Sequence, residues 1–289
     1  MIKKGIILAG GKGTRMSPLT KAVNKQLLPL YDKPLIFYPL SVLMLAGIKK
    51  ILIIVNKGQL NQFKKVLPEK NNLGLSIEYK EQTRPGGLPQ AFTIGEKFIG
   101  KDSVSLILGD NFFYGQSLTK ILKKNINLKS GAKIMVHPVK TPSLYGVATL
   151  NKNHKVLSLV EKPKKTKSNL AVTGLYFFDN DVIKFTKKLR PSKRGELEIV
   201  DLLNLYRKKN KLKAEFIGRG GTWLDTGNVN DFYDASNFIS TIENRQGLKI
   251  ACLEEIAFVN KWIEKKDILN AIKFYGNCNY SKYLKRFLN

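Results

Sequence analysis

The stretch Leu8-Ala9-Gly10-Gly11-Lys12-Gly13-Thr14-Arg15 limits the fold of this chain more than any other. Lys4 to Ala9 reads as a buried strand, and it runs directly into a loop holding three glycines. Without Cβ atoms such a loop lets backbone approach a phosphate closely, with its amides turned inward as donors. It lacks the Lys-Ser/Thr ending of nucleotide-hydrolase loops, and it is not the Gly-x-Gly-x-x-Gly of dinucleotide binding. It ends instead in Arg15, a planar cation able to grip two phosphate oxygens. Ten residues on, Lys25-Gln26-Leu27-Leu28-Pro29 adds a second cation. A glycine turn alone is as readily a plain tight turn. Two cations in one strand-to-helix connection move the reading to a triphosphate or pyrophosphate site.

The rest of the chain supplies a scaffold for such a loop. A helix is expected over Leu35 to Ala46, a β-branched strand over Ile51 to Val55, and a helix over Gln59 to Val66. A strand over Leu75 to Tyr79, a helix from Pro89 to about Phe98 and a strand over Ser103 to Leu108 follow. This alternation implies an α/β fold with a doubly wound, Rossmann-like, mostly parallel sheet flanked by helices. Ligands of such sheets lie beyond the carboxyl ends of the strands, where Gly10-Gly11 and Gly109-Asp110 both fall. Strands are expected at 133–138, 147–150, 156–161 and 171–178, then helices near 181–189 and 197–208 and a strand near 213–217. From Val229 the pattern is mostly helical. No repeat or linker interrupts the 289 residues, so one domain is expected. Its parts would be about 1–115 with the glycine loop, about 116–228 with the added strands and about 229–289 with the C-terminal helices.

Composition narrows the classes. The formal charge of +28 suggests nucleic acid first, yet no basic stretch carries the interleaved aromatics of a base-stacking platform. A solvated lysine-rich surface is the expected reading, with no nucleic-acid and no membrane partner. No apolar run reaches the roughly 18 residues of a membrane span. Cys252 and Cys278 lack metal-ligand spacing and fit a reducing cytoplasm.

Gly-Gly-x-Gly-Thr-Arg followed by Lys-Gln-Leu-Leu-Pro resembles the signature of sugar-1-phosphate nucleotidyltransferases. The run Tyr31 to Leu40 is similar to their thymidylyltransferase branch. The resemblance recurs at Leu108 to Gly115, Tyr145 to Val147, Glu161 to Pro163, Ala171 to Tyr176, Arg194 to Ile199, Trp223 to Gly227 and Ala235 to Ile239. It implies transfer of a thymidylyl group from dTTP to glucose 1-phosphate by in-line attack on the α-phosphorus, at the start of dTDP-rhamnose-type synthesis. UTP or another sugar 1-phosphate is the alternative. Positioning and charge neutralisation then supply most of the rate.

By the same resemblance Mg²⁺ is the cofactor, with Asp110 and Asp225 as its ligands, although either aspartate alone would as readily cap a turn or helix. Arg15 and Lys162 are the implied catalytic cations. Gly10, Gly11, Gly13, Thr14, Lys25, Gln26, Gln82, Gly87 and Asp110 are the implied nucleotide site. Asn111, Tyr145, Gly146, Glu161, Lys162 and Val172 are the implied sugar site. Trp223 reads equally as a sugar-packing ring and as a wall of the core. The chain departs from the family at Gly86 and Pro89, in the base-binding loop. Family members are homotetramers with a second, inhibitory nucleotide-sugar site near the C-terminal helices. Val259 replaces an arginine there, so feedback inhibition is expected to be weak.

Overall fold

A computed structural model describes residues 1–288. Strands β1 (Lys4–Ala9), β2 (Pro29–Leu30), β3 (Lys33–Pro34), β4 (Lys50–Asn56), β5 (Ser76–Gln82), β6 (Val104–Leu108) and β7 (Asn111–Gly115) occupy the first part. They are followed by β8 (Ala132–Pro138), β9 (Gly146–Leu150), β10 (Val156–Glu161), β11 (Leu170–Phe178), β12 (Leu212–Phe216) and β13 (Gly221–Asp225). Nine of these form one sheet, whose main path is β10-β9-β11-β6-β1-β4-β5, with β8 on β11 and β12 on β8.

The β6-β1-β4-β5 half is parallel, with Leu8 opposite Leu108 and Ile54. The expected buried runs produce it because both faces are covered. Ile7, Ile51, Ile53 and Val55 enter one apolar cluster, and Ile6, Leu8, Leu52 and Ile54 enter the other. Beyond β6, β11 runs antiparallel to β6, β8 and β9, while β12 lies parallel to β8. The helix expected from Pro89 to Phe98 is divided at Gly95 into Gln90–Ile94 and Glu96–Ile99. There the helix backbone presses on Ile6 and Leu52 of the sheet.

Two features were not expected from the sequence. β2 and β3 form a two-residue-strand hairpin, and β7 pairs antiparallel with β13 as a separate ribbon. The ribbon rests on the long helix Val229–Gln246 through a third cluster that includes Phe112, Phe232 and Ile239. That helix starts where the Asn228 side chain accepts from the Asp231 amide, and stops where Gly247 adopts a left-handed conformation. The ribbon sets Asp225 directly opposite Asn111 and therefore beside Asp110.

Candidate active site

β1 and β6 are neighbours, so their carboxyl ends deliver the glycine loop and Gly109-Asp110 to one place, as Gly109 N–H donates to the Leu8 carbonyl at 2.9 Å. Position 109 needs glycine. A Cβ there would lie 2.8 Å from Gln26 Cγ and 3.0 Å from the Leu8 oxygen. Gln26 and Lys25 are thereby packed under the strand ends, both buried, and Lys25 Nζ donates to Asp110 Oδ2 at 2.7 Å.

Beside this pair opens a cleft of about 260 Å³ lined by Arg15, Asp110, Asn111, Tyr145, Gly146, Glu161, Lys162, Val172 and Asp225. Gly10, Gly11, Gly13, Thr14, Lys25, Gln26, Gln82 and Gly87 are outside this lining. Lys25 reaches the cleft through Asp110, and Gln82 Oε1 packs against Gly10. Gly87 lies at φ +92°, where a Cβ would meet the Leu197 oxygen at 2.0 Å, and Leu197 does line the cleft. Gln82 Nε2 donates to Gln90 Oε1 at 2.6 Å, and Gln26 Oε1 is buried with no partner among the described residues.

Asn111 carries more of the local order than its expected sugar role. Its Oδ1 accepts from Trp223 Nε1 at 2.6 Å and from Gly174 N–H at 3.0 Å, so its Nδ2 faces Asp110 Oδ1 at 3.1 Å. Its carbonyl is thus spent on protein, and one Nδ2 hydrogen remains for a ligand. Trp223 is buried and meets Tyr145 edge-on at 5.1 Å.

The electrostatics of the two aspartates differ. Burial pushes Asp110 up, but the Lys25 charge and hydrogen bond, helped by Asn111, hold its carboxyl below the usual range. Asp225 is pushed up to about 6 by burial and then by repulsion from Asp110, which Lys25 and Arg15 only partly offset. Arg15 stands close, its guanidinium nitrogens 3.1 Å from where a Cβ on Gly227 would lie. Two like charges drawn together call for a cation between them. Among the described residues no group of three or more acidic, His or Cys side chains is gathered. Such a pair suits Mg²⁺, which takes one or two carboxylates and completes its shell with substrate oxygens and water. Asp110 and Asp225 fit that ion.

Elsewhere in the cleft, burial raises the Glu161 carboxyl, Glu198 adds to the rise, and Lys162 and Arg194 oppose it. Lys162 sits at φ +43°, an uncommon conformation for a residue with a side chain, with its amide donating to the Tyr145 carbonyl. Arg194 and Glu198 line the cleft too, joined by contacts of 3.0 Å from Arg194 Nη2 to both carboxylate oxygens. Neither residue is among those expected in the site from the sequence; an Arg-Gly-Glu-Leu-Glu run is the only signal they give.

A second cavity, about 420 Å³, lies between β7 and the C-terminal helices and is lined in part by Tyr114, Cys252, Glu255, Ile256 and Val259. Val259 is 68% exposed there. Glu254 is turned inward, accepting from Tyr275 and Tyr280. Lys249, on the cavity wall, is paired with Glu243 and Asp32.

A strand-end glycine loop, a buried lysine–aspartate pair and a polar cleft make a site suited to phosphate transfer. The sequence profile of the nucleotidyl transferase family matches residues 4–242, and the chain belongs to that family. It is 50% identical over 285 residues to a glucose-1-phosphate thymidylyltransferase of Neisseria meningitidis serogroup A, covering 99% of each chain. It is also similar to a solved glucose-1-phosphate thymidylyltransferase structure from Bacillus anthracis, at TM-score 0.75 and 38% identity over 81% of this chain and 94% of that one. A UDP-glucose pyrophosphorylase complexed with UDP-glucose superposes at TM-score 0.73 and 27% identity, over 84% and 100% of the two chains.

Proposed function

We propose that the chain transfers the thymidylyl group of dTTP to α-D-glucose 1-phosphate, giving dTDP-glucose and pyrophosphate. The observation that carries this is the convergence of Arg15, Lys162, Asp110 and Asp225 on one cleft, in a chain alike end to end to thymidylyltransferases. A phosphate oxygen of the sugar attacks the α-phosphorus. The bond from that phosphorus to the bridging oxygen breaks, and pyrophosphate leaves. No side chain needs to act as nucleophile, and the work is alignment and charge neutralisation.

Arg15 faces the departing pyrophosphate, where negative charge grows. Lys162 orients the attacking phosphate and offsets its repulsion from the nucleotide. Lys25 fixes Asp110. Gln82 and the Gly87 backbone meet the base, and Glu161 accepts from sugar hydroxyls with Gly146 and Val172 beside it. Asp110 and Asp225 would hold Mg²⁺, which supplies positive charge to the phosphate oxygens. The free Cys252 and Cys278 support a reducing cytoplasm, and exposed Tyr233, Leu269 and Phe274 on the C-terminal helices support self-association, as a homotetramer.

Pyrophosphate release from a panel of dTTP and UTP with several sugar 1-phosphates tests the reading. The likeness to a UDP-glucose pyrophosphorylase keeps UTP in that panel. A thymine methyl in a snug pocket is worth about 1–3 kcal/mol, so dTTP is preferred over UTP by only about five- to 160-fold. A panel in which glucose 1-phosphate is not used with either nucleotide removes the proposal.

A further inference from the structure

The glycine loop and the Lys25 turn are separate stretches of chain, and three carboxamides join them. β1 and β4 pair as far as Ala9 opposite Val55, after which the backbones part. There the Asn56 side chain takes over the ladder. Its Oδ1 accepts from Gly11 N–H at 2.9 Å, and its Nδ2 donates to the Gly11 carbonyl at 2.8 Å. Both sides of the Gly11 peptide are held, and that amide is spent on protein. Asn56 Nδ2 also donates to Gln59 Oε1 at 3.1 Å. The same Gln59 oxygen accepts from Asn24 Nδ2 at 2.6 Å. Asn24 then donates to the Ala9 carbonyl at 3.3 Å, and its Oδ1 accepts from the Gln26 amide, capping the turn that carries Lys25.

We propose that Asn56 and Gln59, acting through Asn24, are positioning residues that set the spacing between the glycine loop with Arg15 and the turn with Lys25. This rests on the triphosphate reading of the cleft. The choice of residue type follows from the chemistry. A carboxamide carries a donor and an acceptor on one short arm, so it can clasp a peptide on both sides and still pass a hydrogen onward. A carboxylate at position 24 or 56 would lose the donors that reach Gln59, and at any of the three it would set negative charge against the phosphates. A hydroxyl could not span the gap. Gln59 accepts two hydrogen bonds on one oxygen, so removing it cuts the link between Asn24 and Asn56 and leaves the two stretches joined only by the longer Asn24 contact to the Ala9 carbonyl.

The test is steady-state kinetics of full-length Gln59→Ala, Asn56→Ala and the double variant, beside wild type. Each single variant is expected to raise KM for dTTP about tenfold, the equivalent of one or two neutral hydrogen bonds. KM for glucose 1-phosphate should stay within twofold and Tm within about 2 °C. The double variant should also be about tenfold impaired, because both changes cut one chain of contacts. A KM for dTTP within twofold of wild type in both singles overturns the proposal. So does a hundredfold rise in the double, or a loss that falls equally on both substrates and follows Tm. Asn56→Ala is the variant more exposed to misfolding, since it frees the Gly11 peptide, and Gln59→Ala then carries the test alone. If wild type uses another nucleotide instead, the substrate reading fails, and the same comparison of Michaelis constants with that nucleotide still decides the relay.

Discussion

Replacing Lys25 with Met strips the Asp110 carboxylate of its cation and leaves it beside Asp225 with only Asn111 donating to it. Breaking a sealed ion pair costs about 3–5 kcal/mol, because one charge stays buried and uncompensated. Lys25 is sealed at 7% exposure, but Asp110 keeps 22% at the cleft, so Lys25→Met should cost about 3 kcal/mol, the low end of that range. Asp110→Asn strands the ammonium instead but also relieves Asp225, for a cost of about 2 kcal/mol. The double variant buries neither charge and should lose only about 2 kcal/mol, against about 5 if the effects added. Urea unfolding of the four proteins, in chelator so that no divalent ion intervenes, gives the coupling energy directly. A double variant that loses the sum of the singles to within about 0.5 kcal/mol would refute the claim that this pair is one electrostatic unit.

Trp223→Phe keeps the ring against Tyr145 and deletes the donor to Asn111, so kcat should fall about five- to tenfold with KM for dTTP nearly unchanged. A change confined to KM for the sugar phosphate would show the ring packing on sugar instead. The second cavity has Val259 where the resemblance implies a cation, and its Lys249 is already engaged by Glu243 and Asp32. Added dTDP-rhamnose should therefore leave initial rates nearly unchanged. Full inhibition at low micromolar levels would contradict this.

The parallel half of the sheet was legible because β1 and β4 are apolar on both faces while β5 alternates, and Ile51 to Val55 needs nothing but its own residues to be read. The cleft was legible as a set of motifs, since Arg15, Asp110 and Lys162 each follow a strand end or a turn. What escaped was pairing at a distance. Phe112 to Tyr114 and Thr222 to Leu224 are short and mixed in polarity, and nothing local says that they meet in a ribbon. Yet that ribbon brings Asp225 to Asp110. Asn24, Asn56 and Gln59 escaped for a related reason. Amide side chains beside turns look like ordinary loop residues until their partners are placed.

The account stands on charge gathered at one strand end, and turnover of dTTP with glucose 1-phosphate and Mg²⁺ reports on it most directly. Wild-type chain should form dTDP-glucose and pyrophosphate in equal amounts, identified by mass, while Asp110→Asn, folded by circular dichroism, should form neither. Product from Asp110→Asn at near the wild-type rate would contradict the account.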